Sequence, residues 1–187
     1  MADIVLINPR FEVSYWGLEH AMPFLGIKAV LPVANLPLLA ALTPPGHHVT
    51  LVDENVEAID FARCARADIV GLTGMNVQRL RMKEILFELK RRGVFTVVGG
   101  PWVTVREDDL AGLADVIFVG EAEETWPRFL AEWSVGRHQI RYEQAERRAS
   151  SVRVGIRASC GLIVSFSLCH LRLQKGGCPG RRRSAAP

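Results

Sequence analysis

The chain has 187 residues, 49% of them hydrophobic, and a formal net charge of +3. That size and apolar content suit about one domain with a single buried core and leave room for a tail. No run approaches the roughly 18 uninterrupted apolar residues that a membrane-spanning helix needs.

The charge is divided unevenly. Residues 1–146 hold 14 Lys and Arg against all 20 Asp and Glu, whereas residues 147–187 hold the other 9 basic residues and no acid. Such a jump marks a boundary. Residues 1–146 read as one mildly acidic domain, and 147–187 as a basic tail of a different kind. The N-terminus has neither a basic segment nor a cleavage pattern before its first strand-like run, so the expectation is a cytoplasmic protein. Four cysteines in such a chain do not imply disulfides.

Asp3–Ile7 is a continuous apolar strand, the pattern of a central parallel strand. It ends at Asn8-Pro9, where proline stops the ladder. Residues 10–35 show no clean period but carry Tyr15, Trp16 and Phe24, suited either to covering a ligand or to packing on the domain itself. A short helix over Leu36–Leu42 follows, then a second strand over His48–Val52 that ends at Asp53. Val56–Ala65 reads as a helix with Ile59 and Phe61 inward. The third strand, Asp68–Thr73, leads into a helix with the apolar stripe Val77, Leu80, Ile85, Leu86 and Leu89. Lys90-Arg91-Arg92 complement its C-terminal dipole and Gly93 stops it. Val94–Val98 is the fourth strand, Glu107–Leu113 a weak helix and Asp115–Val119 the fifth strand. Glu121–Trp133 is the last helix, with Glu121 and Glu123 as N-terminal acids rather than catalytic ones. Five β-α units in alternation predict an α/β fold: a doubly wound parallel sheet of five strands in the flavodoxin-like order 2-1-3-4-5.

In the tail, Val152–Ile156 alternates like a strand and Leu162–Leu173 is apolar, yet no caps or acidic partners accompany them. The expectation is a poorly ordered segment arising from a shifted reading frame near Arg147. The alternative is a basic arm for an acidic partner or nucleic acid. Arg181-Arg182-Arg183 would supply phosphate contacts, but Phe166 is the tail's sole aromatic, which disfavours nucleic acid.

Ligands of open parallel sheets bind at the carboxyl ends of the strands. Here that rim comprises Thr73-Gly74-Met75, Gly99-Gly100-Pro101 and Gly120-Glu121-Ala122. The turn after the first strand lacks the G-x-G-x-x-G of dinucleotide sites, and no G-x-x-x-x-G-K-[ST] loop exists. The ends of the central strands, Asn8 and Thr73, offer no acid for a magnesium-dependent phospho-receiver, and no hydroxyl-rich phosphate loop follows the first strand. Small residues at three successive strand ends instead allow a bulky ligand to approach the backbone closely. The Thr73 hydroxyl and free backbone amides near Gly99 and Gly120 are the candidate donors, and the helix N-termini beyond favour anionic groups. Taken alone, these residues leave open either the nucleotide-like tail of a large cofactor or helix–sheet packing. His20, His47 and His48 read as surface or loop residues, and Cys64 as a packed helix residue.

Six stretches occur in order: I-N-P after the first strand, N-L-P-L-L-A-A-L-T-P, L-V-D-E-N-V-E, A-D-I-V-G-L-T-G-M, V-V-G-G-P-W-V-T and A-D-V-I-F-V-G-E-A-E-E-T-W-P. In these, residues 3–146 resemble the N-terminal cobalamin-binding domain of cobalamin-dependent radical S-adenosylmethionine enzymes, in the branch that includes hopanoid methylases. The resemblance implies cobalamin over the C-terminal rim. Its dimethylbenzimidazole tail would insert near Thr73, Gly74, Gly99, Gly100 and Gly120, with Asn8, Pro9, Asp53, Asn55, Met75, Pro101 and Glu121 completing the cofactor-binding set. Cobalamin domains with a cobalt-ligating histidine carry D-x-H-x-x-G after the second strand. This chain reads Asp53-Glu54-Asn55-Val56-Glu57-Ala58 there. The resemblance therefore implies base-off binding with no histidine ligand, and with water or nothing below the cobalt.

Enzymes of this kind hold an iron–sulfur cluster through C-x-x-x-C-x-x-C, whereas Cys160, Cys169 and Cys178 are spaced C-x8-C-x8-C. No iron–sulfur cluster is expected in this chain, and no side-chain metal site. The resemblance implies a corrinoid-binding domain truncated or frameshifted before its catalytic barrel. The 4Fe-4S cluster and S-adenosylmethionine would belong to the intact relative or to a separate radical SAM catalytic subunit. There the reaction would be methyl transfer to an unactivated carbon or a related radical step. This chain alone is expected to catalyse nothing of that kind. The competing expectation is a non-catalytic interaction module acting through the basic tail.

Overall fold

The computed structural model describes residues 1–12, 24, 26 and 34–144, together with the backbone of 154–157 and 163–166. The expectations for Tyr15, Trp16, His20, Cys160, Cys169, Cys178 and Arg181–Arg183 lie outside the described residues. The chain divides into two units, Met1–Glu146 and Arg147–Pro187.

In the first unit six parallel strands form one sheet in the order β2-β1-β3-β4-β5-β6: β1 Asp3–Asn8, β2 His48–Asp53, β3 Ile69–Thr73, β4 Thr96–Gly99, β5 Val116–Val119 and β6 Arg141–Glu143. The predicted five-strand order is present, and β6 extends it beyond β5. Three residues with only Tyr142 buried carry too little pattern to announce a strand. Pairing opposite Phe118 and ring stacking at 5.2 Å place it. β1 lies between two partners with helices over both faces, so Ile4 to Ile7 are at most 1% exposed.

Helices alternate with the strands as crossovers: α1 Asn35–Leu42, α2 Phe61–Cys64, α3 Arg79–Arg91, α4 Pro101–Val105 and α5 Thr125–Ser134. On one face, α2, α3 and α4 pack Cys64, Met82, Ile85, Leu86, Leu89, Trp102 and Val103 against Val5, Ile7, Val70, Leu72 and Val98. On the other, α1 and α5 bring Leu36, Trp126, Phe129 and Leu130 to Ile4, Leu6, Ile69, Val97 and Phe118. Each fully buried aliphatic side chain contributes about 1.5–3 kcal/mol.

Several boundaries differ from the sequence reading. The helix expected over Val56–Ala65 is the single turn α2, because the Asp60 carboxylate accepts from the amides of Ala62 and Arg63 and starts it there. Val77 and Leu80, placed in the inward stripe, are 48% and 53% exposed. Val77 lies in a 3-10 turn over Asn76–Gln78 that precedes α3, and Leu80, five and nine residues before Ile85 and Leu89, falls on the opposite side of the α-helix, so the buried set is Met82, Ile85, Leu86 and Leu89. Glu107–Leu110 is a 3-10 turn rather than a helix reaching Leu113, and α4 was not anticipated. The helix expected from Glu121 starts at Thr125, so Glu121 and Glu123 lie in the turn before it.

In the second unit, β7 Val154–Arg157 and β8 Ile163–Phe166 pair antiparallel, Val154 opposite Phe166. Among the described residues no helix is long and apolar enough to cross a membrane, and no cluster of His, Cys, Asp or Glu could hold a metal ion.

Candidate functional site

The carboxyl ends of β1 and β2 are knitted together by short polar side chains. Asp53 Oδ1 accepts from Asn8 Nδ2 at 3.0 Å, from the Asn55 amide at 3.0 Å and from Asn55 Nδ2 at 2.7 Å. Asn55 Oδ1 accepts from the Phe11 amide at 2.9 Å. Both ends of the Asn55 carboxamide are thus engaged within the turn. Glu54 carries the network outward: it accepts from the Arg10 amide at 3.0 Å and pairs with Arg81 on α3 at 2.6 Å. Burial raises the Glu54 carboxyl, but the hydrogen bonds from Arg81 and the Arg10 amide, with the charges of both arginines, outweigh it and hold the group below its ordinary value.

Between β1 and β3 the strand order reverses, the position where a crevice is expected. On the α3 side Gln78, 1% exposed, fills it. Its amide donates to Asn8 Oδ1 at 2.9 Å and to the Pro9 carbonyl, and its Oε1 accepts from the Met75 amide at 2.8 Å. Pro9 and Gly74 are buried, while Met75 and Pro101 face outward.

Gly100 has φ +106°, and a Cβ there would sit 2.6 Å from Thr73 Oγ1 and 3.0 Å from the Gly74 amide nitrogen. Its glycine is required by the neighbouring backbone. The Gly74 carbonyl accepts from the Trp102 amide at 3.2 Å. The Gly120 amide, expected free, donates to Thr104 Oγ1 at 3.0 Å. Gly120 itself is open: at φ +82°, a Cβ there would meet only the Gln144 carbonyl, at 3.8 Å. Glu121 is half-buried, and its carbonyl accepts from Thr125 Oγ1 at 3.5 Å.

The space lies on the other face. An apolar slot of about 50 Å³ runs between the sheet and helices α1 and α5. Its floor includes Gly71, Thr73 and Gly99, and its walls are Leu36 and Leu39 on one side and Ala122 and Trp126 on the other. At both glycines on the floor, neighbouring side chains approach the bare backbone closely. A Cβ at Gly71 would come within 2.7 Å of Leu6 Cδ2, and one at Gly99 within 3.3 Å of Phe118 Cβ. At the rim end the Thr73 hydroxyl accepts from Asn35 Nδ2 at 3.2 Å. Of the residues expected at the site, Thr73 and Gly99 line the slot. Asn8, Pro9, Asp53, Asn55, Gly74 and Gly100 build the turns around it, and Met75, Pro101, Gly120 and Glu121 lie on the outer rim. Ala122, expected on the rim, lines the slot as well, whereas the expected set lacks Gly71, Asn35, Gln78 and the walls Leu36, Leu39 and Trp126. Gly71 was detectable, since glycine inside an apolar strand signals a close approach. The walls come from elements some ninety residues apart in sequence, which no local pattern joins.

A B12 binding domain model matches residues 26–130. An uncharacterized methyltransferase of Synechocystis is 35% identical over 67% of this chain and 24% of its own length. The bacteriochlorophyllide d C-8(2)-methyltransferase of Chlorobaculum tepidum is 35% identical over 59% of this chain and 24% of its own. The hopanoid C-2 methylase of Rhodopseudomonas palustris is 29% identical over 69% of this chain, again 24% of its own. The chain thus spans about a quarter of the length of the curated relatives it matches. Among solved structures, the N-terminal domain of a hypothetical protein of Thermotoga maritima aligns at 22% identity with a TM-score of 0.38, over 47% of this chain and 74% of that one. By the matched domain, and in keeping with the resemblance read from its motifs, this chain belongs to the B12-binding domain family.

Proposed function

We propose that this chain is the cobalamin-binding module of a methyltransferase-type radical SAM system. The observation that carries the reading is the glycine-floored apolar slot at the strand ends of a B12-binding domain. Gly71 and Gly99 keep side chains of their own off the slot floor, and Leu36, Leu39, Ala122 and Trp126 supply apolar walls suited to the faces of a flat heteroaromatic base. The rim residues from Asn8 to Gly120 would hold the corrin. Binding is base-off without a histidine ligand. Asn55, at the position where a ligating histidine would stand, has both ends of its carboxamide bonded to Asp53 and Phe11, which supports that reading.

When bound, the corrinoid supplies cobalt as a methyl carrier. The protein's own residues bind and orient it: the Asn8–Asp53–Asn55 and Gln78 networks hold the three turns rigid beneath the ring, and the slot walls exclude water from the base. Chemistry at an unactivated carbon, with its iron–sulfur cluster and S-adenosylmethionine, belongs to a radical SAM catalytic part rather than to the described residues. The module acts in the cytoplasm.

Titration of the purified chain with hydroxocobalamin, followed by desalting, tests this. About one corrinoid per chain with a base-off visible spectrum is expected, and Gly71→Val, which fills the slot floor, is expected to lose it. A folded chain that retains no corrinoid refutes the assignment.

A further inference from the structure

The slot is too small for what it is proposed to receive. At about 50 Å³ it falls well short of the ~150 Å³ of an apolar cavity that accommodates benzene, and a benzimidazole has two fused rings. One wall has to give way. Of the two walls, α5 is the better anchored, with Thr125, Trp126, Phe129 and Leu130 buried. α1 buries only Leu36 of its eight residues, has no side-chain N-cap, and carries no charge that complements its dipole.

Among the described residues, two side-chain hydrogen bonds tie the ends of α1 to its neighbours. At the far end from the rim, Thr43 Oγ1 accepts from Trp126 Nε1 at 3.0 Å, and the indole is 2% exposed. At the rim end, exposed Asn35 donates to Thr73 Oγ1 at 3.2 Å. Both bonds are part-buried, but the first is made by a buried indole and followed by Pro44-Pro45, which stiffens the chain there. The second is made by the exposed Asn35 and sits at the mouth of the slot.

We propose that α1 is a hinged wall. It pivots about the Thr43–Trp126 bond, and the Asn35–Thr73 bond is the latch that breaks when the base of a corrinoid enters the slot. Leu36 and Leu39 move with the helix and widen the space, and the released Thr73 hydroxyl faces the incoming base. This inference rests on the cobalamin reading, and its test separates the two.

The test compares association of the full chain with hydroxocobalamin and with cobinamide, which has the same corrin but no base. In Asn35→Ala, hydroxocobalamin is expected to associate about five-fold faster, the effect of one hydrogen bond removed from the closed state, with the cobinamide rate unchanged. Equal effects on both corrinoids, or on neither, overturn the latch. Amide hydrogen exchange reads the hinge without any ligand. Residues 35–42 are expected to exchange about five-fold faster in Asn35→Ala, with α3 unchanged. If α1 in the unaltered chain is as protected as α3, the hinged wall is wrong whatever corrinoids do. If the exchange result holds but neither corrinoid binds, the cobalamin reading has failed, and the latch as a gate for a corrinoid base falls with it.

Discussion

On the side of the sheet covered by α2, α3 and α4, large side chains meet large side chains. Met82, Ile85, Leu86 and Leu89 are each 0% exposed against Val5, Ile7, Val70 and Leu72. On the side covered by α1 and α5, the same strands present Gly71, Thr73 and Gly99 near their carboxyl ends, and a slot remains. Alternation along a strand sends successive residues to opposite faces, so one strand such as β3 can present the large side chains of Val70 and Leu72 on one side and only bare backbone at Gly71 on the other. The difference teaches where each face has its task. The first is a packed core that holds the rim turns in place. The second carries the space.

Substitutions on the two faces should differ accordingly. The largest effect is expected from Ile85→Ala, which opens a cavity in the sealed face and should lower unfolding free energy by about 3 kcal/mol, read from the urea midpoint. Glu54→Gln comes next. It removes the charge partner of Arg81, which keeps a side-chain exposure of 23%, so about 1–2 kcal/mol is expected. The loss has a defined pH dependence. The folded carboxyl lies below its ordinary value of 4.5, so its contribution is full above that pH and disappears as pH falls through the lower folded value. Unfolding curves of the two forms should therefore converge in acid. The smallest effect is expected from Leu39→Ala in the slack wall. It should reduce stability by less than about 1 kcal/mol, because Leu39 is only partly buried and borders existing space. A loss as large as that of Ile85→Ala would show that the slot face is as tightly closed as the other.

Much of this architecture was legible in the residues. Continuous apolar runs at Ile4–Ile7 and Ile69–Thr73 and glycine-bearing turns at Gly99-Gly100 and Gly120 led to a parallel sheet with its ordered rim. What failed was local phase and partnership. Val77 was placed on a helical stripe but lies in a 3-10 turn before the helix, and Leu80, placed on the same stripe, falls on the face opposite Leu89. Gly100 stands where Thr73 and Gly74 leave no room for a side chain, a constraint that spacing does not reveal. Asn55 is visible two residues after Asp53, but its bonds to Asp53 and the Phe11 amide could not be read from spacing.

The amino-acid order by itself determined the fold class, the strand order of the central five and the composition of the rim, because hydrophobic period and turn chemistry act over a few residues at a time. Only the tertiary structure decided which face holds the space, which rim donors are already engaged and which helix is loosely held. These depend on contacts such as Asn35 with Thr73 and Trp126 with Thr43, made between segments far apart in the chain and brought together only once the sheet has formed.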